Sequence, residues 1–355
     1  MTASPSSQAR LLGPRLLGLG LAVPPHVVDQ EVAAAAAVEA FGGKVFRTPD
    51  LLSVFANTGI KTRHTAKPMA WYLEPRAFDA RNDAYLEAAD ALFVEAAEKA
   101  LAAAGVSAGD VGTVVTVSST GIATPSLEAR LHGRMGFAAG VKRVPVFGLG
   151  CAGGVSGLAI ASRLASADPS RPVLLVVVEL CTLSVRTEPS KENVIATALF
   201  GDGAAAVVLH AGASTGRPIV GDAQHLWPDT LDIMGWRIDP TGLGVVLAAS
   251  LPAFVAKNFG AAVETFREQV GERDARYVCH PGGARVLPAL ESVLGVPEGT
   301  LTVEREVLSQ FGNMSAPTVF FVLDRVLKAG EAGPITLAAL GPGFTGSFVA
   351  LDAEA

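Results

Sequence analysis

Four glycines crowd one cysteine in the stretch Val146 to Ala161, VFGLGCAGGVSGLAIA, and no other stretch narrows the possible folds of this chain as much. Gly148 and Gly150 precede Cys151, and Gly153 and Gly154 follow it. The lead-in, Arg143 to Phe147, predicts a buried strand. Val155, Leu158, Ala159 and Leu164 share one face of a helix that runs on to about Ala167. The chain therefore passes from strand to helix through a sharp turn, which glycine permits and which leaves room for a ligand beside the backbone. The first amides of such a helix lack intrahelical acceptors and carry partial positive charge, which favours a thiolate at Cys151. The same residues also suit an ordinary buried cysteine, which behaves as a small hydrophobe.

The two patterns joined at that turn alternate along the chain. A first strand covers Leu16 to Ala22, and helices cover Glu31 to Phe41 and Leu51 to Asn57. The extended segment Ile60 to Thr65 follows, and then a long helix from Asp83 to Ala104 that Gly105 ends. Val111 to Ser118 is a strand with the exit loop Ser119-Thr120-Gly121, and Ser126 to Met135 is a helix. Val173 to Glu179 predicts a fully buried strand, and Ala198 to Leu209 a glycine turn leading into another. The polar segment Gly212 to Pro218 marks a seam. Beyond it come helix Pro252 to Val270, strand Arg276 to His280, helices Gly283 to Leu294 and Ser315 to Ala329, and strands Ile335 to Ala339 and Ser347 to Asp352. Such alternation predicts an α/β fold built on a mostly parallel sheet with helices on both faces. A length of 355 residues predicts two halves, 1–215 and 216–355.

Composition removes several classes of function. Half of the residues are apolar and 17 % are charged, as in a large α/β enzyme with well-buried sheets. The net charge is −6 and no basic run occurs, which argues against nucleic acid as a partner. Cys151, Cys181 and Cys279 lie far apart, without CxxC or zinc-type spacing, so neither a disulfide framework nor a metal site is expected. The first residues read as a ragged tail without a convincing signal-cleavage site. Val173 to Val178 is too short to span a membrane, and a cytoplasmic location is expected.

Two later turns hold possible partners for Cys151. His280 ends the apolar strand YVC and is followed by Pro281-Gly282-Gly283, a turn that leaves space beside an imidazole. Taken alone it also suits a satisfied structural histidine. Asn313 lies in FGNMSAP, where an amide donates to a developing oxyanion or simply caps the next helix.

GLGCAGG, LFGDGAAA, HPGG, FGNMSAP and GPGF occur in this order and spacing. In that respect the sequence resembles the type III polyketide synthases, the chalcone- and stilbene-synthase-like enzymes of the thiolase superfamily, from about Leu16 to Leu351. The resemblance implies an acyltransferase with a duplicated five-layer αβαβα thiolase-like fold, working as a homodimer on CoA thioesters with no cofactor or metal. It implies that Cys151 accepts the acyl group and that His280 and Asn313 assist it. A nearby protonated His280 and the helix amino end would lower the thiol pKa. Donors from His280 and Asn313 would stabilise the enolate formed when malonyl-CoA loses carbon dioxide. By the same resemblance Phe200 is the gate between entry tunnel and cavity, Gly341, Pro342 and Gly343 shape the cavity floor, and Ser315 lines it. Ser184 falls where plant members carry a threonine that tunes cavity size. Lys61 and Arg63 lie in the region that meets the CoA phosphates, although a solvated basic pair fits them equally.

Departures from the plant pattern suggest the substrate. Thr124 replaces a bulky methionine and Val245 a phenylalanine, which implies a wider or deeper cavity. The segments Trp227 to Ile238 and Tyr72 to Phe78 resemble bacterial members that make alkylresorcinols and alkylpyrones. A fatty acyl starter, delivered on CoA or by an acyl carrier protein, is therefore expected, extended with malonyl-CoA and closed to an alkylpyrone or alkylresorcinol. The alternatives are a tetrahydroxynaphthalene synthase primed by malonyl-CoA alone, an initiating β-ketoacyl carrier-protein synthase, against which HPGG and GPGF weigh, and a silent thiolase-fold scaffold, against which the intact Cys151, His280 and Asn313 weigh.

Overall fold

Six consecutive apolar residues, Val173 to Val178, are stable only where both faces of a strand are covered. The computed structural model, which describes residues 13–42, 49–186, 188, 190–271 and 274–353, buries all of Val173–Leu180 in this way. In chain order its strands are β1 (Arg15–Ala22), β2 (His26–Asp29), β3 (Thr62–Thr65), β4 (Thr113–Val117), β5 (Lys142–Val146), β6 (Val173–Leu180), β7 (Asp202–His210), β8 (Arg217–Leu226), β9 (Met234–Asp239), β10 (Gly242–Leu247), β11 (Arg276–Cys279), β12 (Ile335–Gly341) and β13 (Thr345–Leu351). Its helices are α1 (Gln30–Phe41), α2 (Pro49–Asn57), α3 (Met69–Leu73), α4 (Phe78–Ala104), α5 (Leu127–Arg130), α6 (His132–Met135), α7 (Gly153–Ala167), α8 (Lys191–Leu199), α9 (Leu251–Val270), α10 (Val286–Leu294), α11 (Thr302–Phe311) and α12 (Thr318–Lys328).

Nine strands form one hydrogen-bonded row in the order β11-β12-β13-β8-β1-β7-β6-β4-β5. The row is really two sheets, because β1 and β8 pair only where Arg15 and Leu16 meet Pro218 and Arg217. Three apolar cores hold the sheets and helices in layers. The central core joins α7 and α12 to both sheets. One outer core packs α4 against β1, β4, β6 and β7, and the other packs α9 and α10 against β11, β12 and β13. This is the five-layer αβαβα thiolase-like arrangement.

The expectation of a mostly parallel sheet does not hold. Only β4–β5, β4–β6 and β11–β12 are parallel, and the other ladders of the row are antiparallel. A parallel pair needs a crossover of a dozen or more residues. The turn from Gly341 to Thr345 between β12 and β13 is far shorter than that, so it folds back as a hairpin. The strand before Cys151 also differs: β5 is the sheet edge and largely exposed, not buried. The helix expected from Ser126 to Met135 is broken at Leu131 into α5 and α6. Strand β8, the hairpin β9–β10, and helices α8 and α11 had no clear pattern in the sequence. No described helix is long and apolar enough to cross a membrane.

Candidate active site

Cys151 lies in a single 3-10 turn, Gly150–Ala152, immediately before the fifteen-residue α7. Gly148 and Gly150 have φ of 91° and 46°, which glycine enters without a Cβ penalty. The turn is locked from the second half of the chain. A Cβ on Gly150 would lie 2.6 Å from Pro342, and a Cβ on Gly341 would lie 2.5 Å from Ala152 Cβ and 2.7 Å from the Leu149 carbonyl oxygen. The GPGF turn therefore sits directly on the cysteine turn, a contact that any side chain at either glycine would disrupt.

His280 follows β11. Its backbone N–H still donates to Ala338 O at 2.9 Å, and Gly282 N–H then turns back to His280 O. Asn313 lies between α11 and α12, where its backbone pairs with the segment carrying Phe200. Asn313 N–H donates to Leu199 O at 2.9 Å, and Gly201 N–H donates to Asn313 O at 3.0 Å. The Asn313 amide is oriented at both ends: Nδ2 donates to Gly282 O at 3.0 Å and Oδ1 accepts from Ser315 N–H at 2.7 Å. Ser315, at φ 59°, donates from Oγ to Cys151 Sγ at 3.4 Å. Both His280 ring nitrogens are buried without a partner. Buried polar groups are rarely left so, and an unpaired imidazole facing a cavity is ready to meet a substrate.

Burial works against the expected lowering of the thiol by protonated His280. Burial pushes the Cys151 thiol up to about 11, opposed by hydrogen bonds from Ser315 and Asn313. Burial also pulls His280 down to about 4. Both groups are surrounded by protein, and removing water penalises every charged form. Burial thus favours the neutral form of each group.

Cys151, His280, Asn313, Phe200, Ser315, Val245 and Pro342 all line one cavity of about 290 Å³. Its walls are mainly apolar, with Met234, Trp236 and Leu247 among them. The Phe200 ring lies 6.3 Å from that of Trp236. Gly341 and Gly343 carry Pro342 into the wall without lining it themselves.

Four expected positions fall elsewhere. Thr124 is exposed and does not line the cavity of its own chain. Ser184 is buried behind the Thr120 loop, donating to Thr120 O at 3.5 Å, and borders a separate void of about 10 Å³. Arg63, 2 % exposed, turns inward. It donates to the carbonyls of Thr197, Ala198 and Phe200 and to Gln30 Oε1, satisfying the open carbonyl end of α8. Burial, opposed by Asp202, lowers its pKa to about 10. Lys61 is exposed but off the cavity. The exposed cations that do border the cavity are Lys191 and Arg285.

Sequence reasoning passed over other lining residues: Ser119, Thr120, Cys181 and Trp236. Ser119 and Thr120 had a usable signal, the exit loop at the carboxyl end of a strand. Beneath that loop lies Glu179, whose two oxygens accept from Ser119 N–H at 3.0 and 2.9 Å and whose Oε2 accepts from Thr120 Oγ1 at 2.8 Å. Ser119 Oγ in turn accepts from Gly148 N–H at 3.1 Å, which ties the loop to the cysteine turn. Among the described residues no group of three or more His, Cys, Asp or Glu side chains is placed to hold a metal ion.

Comparison with known proteins agrees with this geometry. Residues 6–213 match the model for the N-terminal domain of chalcone and stilbene synthases, and residues 218–348 match the model for their C-terminal domain. A 1,3,6,8-tetrahydroxynaphthalene synthase from Streptomyces peucetius subsp. caesius is 38 % identical over 354 residues, spanning 96 % of this chain and 93 % of that protein. A putative chalcone synthase from Bacillus subtilis is 34 % identical, over 96 % of this chain and 98 % of that one. The crystal structure of 1,3,6,8-tetrahydroxynaphthalene synthase from Streptomyces coelicolor A3(2), a bacterial type III polyketide synthase, superposes with a TM-score of 0.90 at 29 % identity, covering 96 % of this chain and 99 % of that one.

Proposed function

The chain belongs to the chalcone and stilbene synthases, the type III polyketide synthases, and from that premise we propose that it primes Cys151 with malonyl-CoA itself and builds a ten-carbon chain that closes to a naphthalene. The family supplies the reaction class, an acyltransferase that extends CoA thioesters. The observation that carries the site is the single cavity onto which Cys151, His280 and Asn313 all open.

Loading begins from the neutral pair. The Cys151 sulfur attacks the thioester carbonyl while its proton passes to His280, and that proton leaves on the CoA sulfur as the old thioester breaks. Malonyl-CoA then loses carbon dioxide. The electron pair left behind is held as an enolate whose oxygen accepts from a ring N–H of neutral His280 and from the second N–H of Asn313 Nδ2. The low pKa of His280 suits this role, because the imidazole donates a hydrogen bond without giving up its proton. The enolate carbon attacks the Cys151 thioester, a new carbon–carbon bond forms, and the thiolate leaves. Lys191 and Arg285 at the mouth, rather than Lys61 and Arg63, meet the CoA phosphates. No cofactor takes part in these steps.

Two observations favour malonyl priming over a fatty acyl starter. Relatives at 38 % and 30 % identity are tetrahydroxynaphthalene synthases. Drug-sized pockets span about 300–1,000 Å³, so about 290 Å³ suits a short chain folded on itself better than one carrying a long alkyl tail. Of the two small residues that pointed to a fatty starter, only Val245 borders the cavity. The test is purified enzyme with malonyl-CoA alone and with a ladder of acyl-CoA lengths, products read by mass spectrometry. A ten-carbon aromatic from malonyl-CoA alone is expected. Turnover that waits for a fatty acyl-CoA or an acyl carrier protein would overturn the proposal and restore the alkylpyrone reading.

The working unit is a homodimer. The unpaired edge strand β5 and Phe147 after it, 56 % exposed, offer a surface that a second copy covers by two-fold pairing. Sedimentation is the check, and a monomer at assay concentration would overturn it.

A further inference from the structure

Among the described residues, the hairpin β9–β10 supplies the strands of the cavity wall that lie outside the nine-strand row. Its cross-strand pair Trp236 and Val245 borders the cavity, and Trp236 stands beside the gate Phe200. An isolated two-stranded hairpin is marginal in water, so its position depends on what tethers it. The tether at its tip is Arg186. This side chain, 9 % exposed, reaches Asp239 at 2.7 Å and donates to Gly242 O at 2.5 Å and Leu243 O at 3.2 Å. It holds the Asp239 carboxyl far below the usual range. Arg81 of α4 joins it, donating to Thr241 O and, at 3.4 Å, to Val185 O.

The guanidinium packs against the backbone of the hairpin at Gly244. A Cβ on Gly244 would come within 2.8 Å of the Arg186 guanidinium carbon and 2.9 Å of both terminal nitrogens. Gly244, near the tip of β10, meets Arg186, and the next residues of the same strand, Val245, Val246 and Leu247, border the cavity. The seat of Arg186 on Gly244 therefore bears on where Val245 and its cross-strand partner Trp236 stand in the cavity wall.

We propose that Arg186 is a specificity-determining positioning residue: by clasping the hairpin tip it sets the cavity depth, and hence the chain length at which extension on Cys151 stops. The inference rests on the extension reaction proposed above but not on the identity of the starter.

The test compares the products of wild type, Arg186→Met, Asp239→Asn and Gly244→Ala with malonyl-CoA and with a short and a long acyl-CoA. Arg186→Met keeps bulk but releases the hairpin, and the ratio of longer to shorter products is expected to rise on the order of tenfold, the scale at which pockets discriminate by a methylene or so. Asp239→Asn moves the ratio the same way by less. Gly244→Ala presses the hairpin inward, and the ratio falls. A purely structural role would lower total turnover and melting temperature in all variants and leave the ratio unchanged. If Arg186→Met does not fold, the other two variants carry the test. Unchanged ratios in well-folded variants of an active enzyme overturn the clasp alone, whereas a wild type that extends no starter overturns the reaction and the clasp with it.

Discussion

At Cys151 burial disfavours charge, so the proposed reaction starts from two neutral groups and charge develops when substrate arrives. Buried thiol and imidazole both avoid ionisation, and the hydrogen bonds at hand, from Ser315 and Asn313, are too weak to reverse this for the thiol. Cys151→Ala is expected to abolish the acyl adduct, read as the loss of the mass shift on incubation with acyl-CoA; an adduct that persists would place the nucleophile elsewhere. Asn313→Ala has a different signature. Losing one oxyanion donor costs about 10²–10³ in rate, so malonyl decarboxylation should fall by that order while loading of Cys151 survives. Equal loss of both would reduce Asn313 to the backbone bridge it makes with Phe200. At this scale residue types were legible and orientations were not. Arg63 sits in a short basic segment and reads as a surface cation, yet four acceptors on α8 and α1 draw it inside.

Among elements, the glycine turns carry the argument. The cysteine turn and the GPGF turn come from opposite halves of the chain and touch through backbone, with Gly150 under Pro342 and Gly341 under Ala152. Gly341→Ala is expected to cost about 1–3 kcal/mol through overpacking and to lower condensation more than stability alone explains, since the displaced partner is the cysteine turn. Chemical denaturation beside a single-turnover assay separates the two, and full activity in the variant would mean that the turns are not held in register. Buried strands and long amphipathic helices were legible because their apolar periodicity is local. The hairpin β9–β10 was not. Its residues Trp236, Val245 and Val246 border a cavity rather than a core, and its polar tip is explained by Arg81 and by Arg186, which lies 53 residues from Asp239.

The whole molecule stores its least comfortable charges beneath the site. Burial lifts Glu179 from 4.5 to about 8 and Asp202 from 3.8 to about 7. A carboxyl that holds its proton more tightly when folded than when unfolded makes the folded state bind more protons, so stability falls as pH rises through that interval. The melting temperature is therefore expected to decline from about pH 4 to about pH 8, and Glu179→Gln to flatten the decline. A wild-type curve that rises over the same interval would show that these carboxyls are ionised and well paired.

Sequence alone determined the family and singled out Cys151, His280 and Asn313, because five short motifs occur in a set order and each needs only local chemistry: glycines at turns, and a thiol, an imidazole and an amide at strand or helix ends. It also marked Val173 to Glu179 as a strand buried on both faces, though not the exposed edge strand before Cys151. Tertiary structure decided what surrounds those groups. Ser315 reaches Cys151 across 164 residues of chain, and the same closure that brings them together excludes water, disfavours the charged forms of Cys151 and His280, and leaves Thr124 and Ser184 outside the cavity. Periodicity shows which face of a segment is apolar. Which loops meet above it, and how dry the space between them is, depends on packing between distant segments that no local pattern records.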